Sequence, residues 1–282
     1  MMRLKQSNRT KSVILSVFIF VCFVGAWQSY VNSLGGTAEA MDPEYAALLG
    51  GQAKGESAIP GPGDVGAELW MHFTDPFYDA GPNDKGVGIQ LAYSIMRVLS
   101  GFFLAMLVAI PLGFLIGMSK VAQGALNPYV QLLKPVSPLA WMPLALYTIK
   151  DSETSSIFVI FICSVWPMLI NTTFGVASVR SEWLNVAKTL EVSPMRKALR
   201  VILPAAAPTI LTGMRISIGI AWLVIVAAEM LVGGTGIGYF VWNEWNNLSI
   251  TGVISAIVFI GLTGMVLDLA LGYAGKLVSY EE

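Results

Sequence analysis

Residues 90–118 read QLAYSIMRVLSGFFLAMLVAIPLGFLIGM, an apolar run whose only charged residue is Arg97. A bilayer core ~30 Å thick is crossed by about 20 residues of helix at 1.5 Å each, so this stretch is long enough to span one. Five further runs satisfy the same ruler: Val13 to Val31, Pro128 to Ile149, Ser156 to Ser178, Thr209 to Val232 and Ile250 to Gly275. The whole composition agrees, since 55% of the 282 residues are hydrophobic and 12% are charged, against roughly 25% charged in a soluble domain. The expected fold class is an all-α integral membrane protein with six transmembrane helices. Pro111, Pro135, Pro138 and Pro143 are expected to break the second and third spans. Such breaks are tolerated in a membrane where neighbouring helices satisfy the freed backbone groups, which favours a packed bundle.

The distribution of Lys and Arg orients the spans. Arg3, Lys5, Arg9 and Lys11 precede the first span without an acid, and Arg180, Lys188, Arg196, Lys197 and Arg200 follow the fourth. The opposite side holds Lys54, Lys85 and Lys150, with nine acids between Glu39 and Asp84. Both termini are therefore expected in the cytoplasm. The alternative for the first span is a cleaved signal peptide ending at Ala38-Glu39-Ala40, which leaves the other five spans oriented as before. The chain divides into residues 1–31 (cytoplasmic N-terminus and first helix), 32–89 (acidic, Gly/Pro-rich outer loop), 90–275 (a five-helix core with a cytoplasmic loop at 180–208) and 276–282 (cytoplasmic tail).

Much chemistry is excluded. With 17 Lys+Arg against 18 Asp+Glu there is no basic surplus for nucleic acid. Cys22 and Cys163 lie in apolar runs and suggest neither a disulfide framework nor a metal site. His72 is the sole histidine, so there is no His-based triad, and no P-loop or HExxH occurs. No cofactor is expected, and the chain does not read as an enzyme. Transport is the natural work of six spans, with energy from a partner or an ion gradient.

The outer loop is expected to be irregular, partly ordered by Trp70, Phe73, Phe77 and Tyr78, or else a solvated linker. The loop from Gly233 to Asn247 is expected to turn tightly and continue as an aromatic interfacial segment carrying Tyr239, Trp242 and Trp245. The stretch from Arg180 to Pro208 carries Leu184, Ala187 and Leu190, then Leu199, Ile202 and Leu203, at helical spacing. Ser193-Pro194 is a helix start, so two short amphipathic helices should meet near Val192. A patterned connection this long reads as a docking surface, or as a helix lying on the bilayer.

Ionisable residues inside a membrane cost ~2.5–3.5 kcal/mol each and require a reason. Arg97 and Glu229 share the outer third of their spans, and Arg215 and Asp268 share the inner end of the fifth and sixth. They are structural ion pairs or snorkelling groups, or else Arg97 or Arg215 helps an anion through, guanidinium being a good oxyanion ligand. Gly113 and Gly117 give a small-xxx-small face for close helix packing, a pattern also found at dimer contacts.

Several blocks resemble a known family. Asn185-Val186-Ala187, Glu191 and Ile202-Leu203-Pro204 sit where permeases of binding-protein-dependent ABC importers carry Glu-Ala-Ala, a Gly four residues after the last Ala, and a terminal Leu-Pro. Ser94 to Phe102, Ile110 to Gly113, Pro138 to Leu144 and Gly213 to Ile216 resemble the subgroup importing nitrate, bicarbonate, cyanate, sulfonates and taurine. Ala228 to Gly238 and Trp242 to Asn246 are most similar to its nitrate-type branch. The resemblance runs from about residue 90 to the C-terminus. It implies a type I ABC importer permease fold in the bacterial inner membrane, moving a small inorganic oxyanion, nitrate first, with bicarbonate, cyanate or sulfonate and taurine as alternatives. It further implies cytoplasmic ABC ATPase subunits that hydrolyse the ATP, a periplasmic or lipid-anchored substrate-binding protein and a second permease subunit, as a homodimer. Asn185, Ala187, Leu190, Glu191, Val192, Ser193 and Pro194 would form the ATPase-coupling loop. Two positions depart from the pattern: Asn185 replaces its Glu, losing that residue's salt bridge to the ATPase, and Glu191 replaces its Gly, making the turn less tight or offering an acid to a basic groove. The alternative of another class, a secondary transporter or channel without ATP coupling, predicts matching internal repeats, which are not visible.

Overall fold

The computed structural model describes residues 2–35, 59–81 and 84–278. The small-residue site Ala38-Glu39-Ala40, the acidic stretch around Glu44 and Glu56, and the tail from residue 279 lie outside the described residues. The elements are α1 (Met2–Gly35), α2 (Pro62–Thr74), a minimal antiparallel ribbon β1 (Asp79–Gly81) and β2 (Asp84–Lys85), then α3 (Val87–Gly117), α4 (Lys120–Leu133), α5 (Pro138–Ile149), α6 (Ser152–Ala177), α7 (Ser181–Thr189), α8 (Pro194–Lys197), α9 (Leu203–Val232), α10 (Ile237–Asn246) and α11 (Ile250–Val278). Among the described residues, five helices are long and apolar enough to cross a membrane, within α1, α3, α6, the continuous rod Pro194–Val232, and α11.

The expected third span is not one helix. Proline disfavours helical backbone in the residue before it, and Ser137, ahead of Pro138, is held at ψ 135°. The run therefore splits into α4 and α5. At 12 residues α5 is ~18 Å long, short of a bilayer core. Pro111 and Pro143 were expected to break helices as well, yet α3 and α5 run straight through them.

The second expected amphipathic helix of the 180–208 loop is no separate element either. It is the start of a 39-residue rod, Pro194–Val232, whose ~58 Å well exceeds the ~30 Å hydrocarbon thickness. Between α8 and α9 the rod makes one π-turn, Ala198–Ile202, in which Leu203 N–H donates to the Ala198 carbonyl. Pro204 supplies the reason: lacking an N–H, it cannot continue the normal ladder.

The chain forms two compact units, one of Met1–Asp75 with Glu244–Ser255 and one of Pro76–Asn243 with Ala256–Glu282. In the second, α6 lies between α3 and α9. Glycine makes that approach possible: a side chain at Gly113 would strike Thr172 and the Leu169 carbonyl, and one at Gly213 would strike Asn171. Helices in lipid associate through such small-residue contacts because no hydrophobic drive separates them from the tails. The Gly113/Gly117 face is thus spent on α6, with Gly117 against Val176, and is not free to pair two copies. In the first unit, α1 carries a span and the start of α2 lies against it at Gln28. The outer loop, expected to be irregular, contains this ordered helix.

Candidate functional site

Two polar arrangements stand out in the second unit, and a third feature lies at the end of its long rod. The first arrangement is built on α3, where Gln90, Ser94 and Arg97 recur at i, i+4 and i+7 and so share one face. Glu229, near the end of α9, is 2% exposed and Arg97 11%. The Arg97 guanidinium donates from Nη1 to Glu229 Oε1 at 2.8 Å and to the Thr235 carbonyl at 2.6 Å. Ser94 Oγ donates to the same carboxylate at 2.8–2.9 Å, and Gly238 N–H reaches Glu229 Oε2 at 3.0 Å. The network also holds the connection to α10: Gly236 N–H donates to Gln90 Oε1 at 2.6 Å and Ile237 N–H to Ser94 Oγ at 2.9 Å.

That connection turns as the glycines require. Gly233 and Gly234 sit at φ +78° and +94°, where a side chain is strained. A Cβ at Gly238 would drive into the Val226 carbonyl. The segment is thus not a loose aromatic loop but a tight turn into α10, pinned by four residues of two spans. Arg97, Glu229, Ser152, Glu153, Asp151 and Gly233 border a cavity of about 300 Å³. Three of its four charged residues are acids, so it does not attract a free anion. Asp151 caps α6, accepting from Thr154 N–H at 2.7 Å and from the Thr154 hydroxyl at 2.5 Å. These bonds hold its carboxyl below the usual range. A lowered carboxyl pKa adds stability above the ordinary carboxylate range that is lost as pH falls through the lowered value.

The second arrangement is the bidentate pair of Arg215 on α9 and Asp268 on α11, with Nε and Nη2 each 2.5 Å from a carboxylate oxygen. Unlike the first pair it is open, Arg215 and Asp268 being 52% and 45% exposed. Nearby, Trp222 Nε1 donates to the Ile260 carbonyl at 3.0 Å, tying the same two helices together. The structure therefore brings both sequence-inferred pairs together, one as a sealed clamp and one on an accessible face. Gln90, Ser94 and the Thr235–Gly238 backbone were not singled out as clamp residues from the sequence. The signal was present in the polar i, i+4, i+7 stripe of an otherwise apolar helix. Among the described residues no group of three His, Cys, Asp or Glu could hold a metal ion.

The third feature is α7 and its exit. Ala187 is 4% exposed, and Leu184 packs on a cluster of Val176, Ile202, Ala206 and Ile210. Leu190, expected on the same face, instead points out, 70% exposed, as do Val186 and Trp183. Arg180 lies over the Trp183 ring at 5.6 Å. Beyond α7, Glu191 N–H donates to the Lys188 carbonyl and Val192 N–H to the Ala187 carbonyl, both at 3.0 Å. With Glu191 at φ +50°, this is the Schellman closure usually made by glycine. The turn is therefore as tight as a glycine turn, contrary to the expectation of a looser one. Left-handed backbone costs a non-glycine residue roughly 1–2 kcal/mol, partly offset by its smaller unfolded-state entropy. Glu191→Gly is expected to stabilise the turn by about 1 kcal/mol, slowing hydrogen exchange of the Val192 amide about fivefold. Unchanged exchange would show that Glu191 sits there without strain.

Comparison with known proteins supplies the context for these features. Residues 109–280 match the family described as "Binding-protein-dependent transport system inner membrane component". The chain is 44% identical over 222 residues to the nitrate import permease protein NrtB of Synechocystis sp., covering 79% of this chain and 81% of that one. It is 44% identical over 205 residues to the bicarbonate transport system permease protein CmpB of the same organism, covering 72% and 73%. Its fold matches a chain of the inward-facing MetNI methionine ABC transporter with a TM-score of 0.60 at 12% identity, over 67% of this chain and 94% of that one. An all-α chain with several membrane-crossing helices, packed in this fold and matched over most of its length, belongs to the family of inner-membrane permease components of binding-protein-dependent transport systems.

Proposed function

We propose that this chain forms part of the translocation path of an ATP-driven importer for a small inorganic oxyanion, nitrate first. The observation that carries this is the 44% identity to a nitrate import permease over about four fifths of both chains. Bicarbonate is the second reading, supported by equal identity over a shorter stretch. Membership in the family implies a separate ATPase and a substrate-binding protein. The finer assignments are also part of the proposal: two copies forming the path, six spans with both termini in the cytoplasm, and a binding protein that is periplasmic or lipid-anchored.

Within this reading the Arg97–Glu229 clamp is structural and fixes the end of α9 to α3. Arg215–Asp268 is the better candidate for the path, because an open guanidinium can exchange a carboxylate for a planar oxyanion. Arg215→Gln is expected to lower nitrate uptake about tenfold or more, the loss of one charge-assisted contact. Its amount in the membrane should be unchanged, since exposed pairs contribute little to stability. Equal loss of uptake and protein would make the pair structural instead. Asn185 to Pro194, with α7, form the ATPase-coupling loop, and its outward residues are the docking face.

The test is uptake of labelled nitrate and of bicarbonate in cells with this gene deleted and then restored. Nitrate uptake lost and recovered, with bicarbonate unaffected, supports the proposal. Loss of bicarbonate uptake alone exchanges the substrate, and loss of neither removes both nitrate and bicarbonate.

A further inference from the structure

In the first unit, α2 carries a broad uncharged face that is largely exposed. Helix start is set locally: Pro62 holds the first position and the Asp64 carboxylate accepts from Gly61 N–H at 2.9 Å. At about 100° per residue, Val65 and His72 fall together and are buried, with Glu68 beside them and 3.5 Å from His72 Nε2. The face turned away runs through Gly66, Ala67, Trp70, Met71, Phe73 and Thr74. Trp70 is 71% exposed, and Met71 and Phe73 are more than half exposed. An arc of about 160° thus carries no charge, and all the charges of α2 flank its packed side.

What covers that arc is indicated by where α2 is held. A side chain at Gly61 would meet Gln28 Oε1 at 3.6 Å, and Val31, buried where its α1 neighbours are exposed, lies one turn further on. Both belong to the span Thr10–Ser33, whose apolar core is unburied within this chain, as suits a lipid-facing surface. Gln28 and Val31 lie in its last turns, where a span leaves the hydrocarbon. The uncharged arc is therefore continuous with a lipid-facing surface, at the depth where Trp prefers to sit. A water-exposed helix of this composition would leave its largest apolar side chains bare.

We propose that α2 is an interfacial helix whose Trp70–Phe73 face is seated in the head-group region of the bilayer, beside the C-terminal end of α1. Its polar edge carries Asp64 and Glu68 and no Lys or Arg, so the attachment comes from apolar burial, not attraction to anionic lipid. It is insensitive to salt and independent of the transported anion.

The test uses the full chain with Cys22→Ser and Cys163→Ala, reconstituted in neutral phosphatidylcholine vesicles. An environment-sensitive fluorophore is attached at Trp70→Cys, at Phe73→Cys in a second variant, and at Asp64→Cys as the polar reference. Retained uptake when each variant gene restores the deleted cells identifies properly folded variants. At 70 and 73 the emission should be blue-shifted, quenched by lipid with a nitroxide near the glycerol more than by one deep in the chain, and unchanged by salt. At 64 it should resemble water and be quenched by aqueous iodide. Iodide quenching at 70 and 73 equal to that at 64 would overturn the proposal. So would a blue shift that appears only on adding the substrate-binding protein, which would make the face a protein dock.

Discussion

Arg97→Leu is expected to lose most of the folded permease. The Glu229 carboxylate is buried, and removing its guanidinium leaves a charge with only neutral donors beside it. Breaking a buried pair by deleting one partner costs about 3–5 kcal/mol, a large share of a total stability of only 5–15. Ser94 and the Gly238 amide still donate to Glu229, but they are neutral, and the Thr235 carbonyl loses its donor as well. The damage should begin at the Gly233–Gly238 turn, which the clamp holds. Arg97→Leu combined with Glu229→Gln removes the stranded charge while keeping an oxygen for Gly238, and should recover part of the loss. Monodisperse protein after detergent extraction, followed by its thermal midpoint, reads both effects. An Arg97→Leu protein that melts like the parent would show that the pair contributes nothing.

Val186→Asp with Leu190→Asp is expected to abolish transport while leaving the permease folded. Both side chains are more than half exposed, Val186 on α7 and Leu190 at its C-terminal cap, so little within the chain is lost on changing them. In the proposed coupling role they are apolar anchors in an ATPase groove. Burying a carboxylate at such an anchor costs roughly 2 kcal/mol or more, about 30-fold in affinity. The expected result is normal membrane abundance, weakened co-purification of the ATPase and no uptake. Ala187→Asp differs in kind, because Ala187 is buried against its own chain. It should lower abundance as well, by forcing an unpaired charge into an apolar contact. Unchanged ATPase binding in the double variant would remove α7 from the interface.

How far these features could be read in advance follows from the range of the forces involved. The spans were legible because the bilayer imposes a length and a composition that a single run of sequence reveals. The two ion pairs were legible because few charges are tolerated in lipid and equal depth limits their partners. The split between α4 and α5 was half visible: Pro135, Pro138 and Pro143 look alike in sequence, but α4 ends just before Pro135, Ser137 ahead of Pro138 is extended, and α5 runs through Pro143. Gln90 and Ser94 were not recognised as clamp residues because their partners, the Glu229 carboxylate and the Gly236–Ile237 backbone, lie more than a hundred residues away. Glu191 suggested a loosened turn, since propensity speaks against left-handed glutamate, yet the closing hydrogen bonds of α7 outweigh that local cost. Helix α2 was hidden by its Gly and Pro content, although Trp70, Phe73 and Phe77 already marked the region as ordered.

The central claim, ATP-driven import of a small oxyanion, is tested most directly in proteoliposomes holding this permease with its ATPase and binding protein. Labelled nitrate is expected to accumulate against its gradient only when ATP is on the ATPase side. Nitrate equilibrating equally without ATP would contradict it.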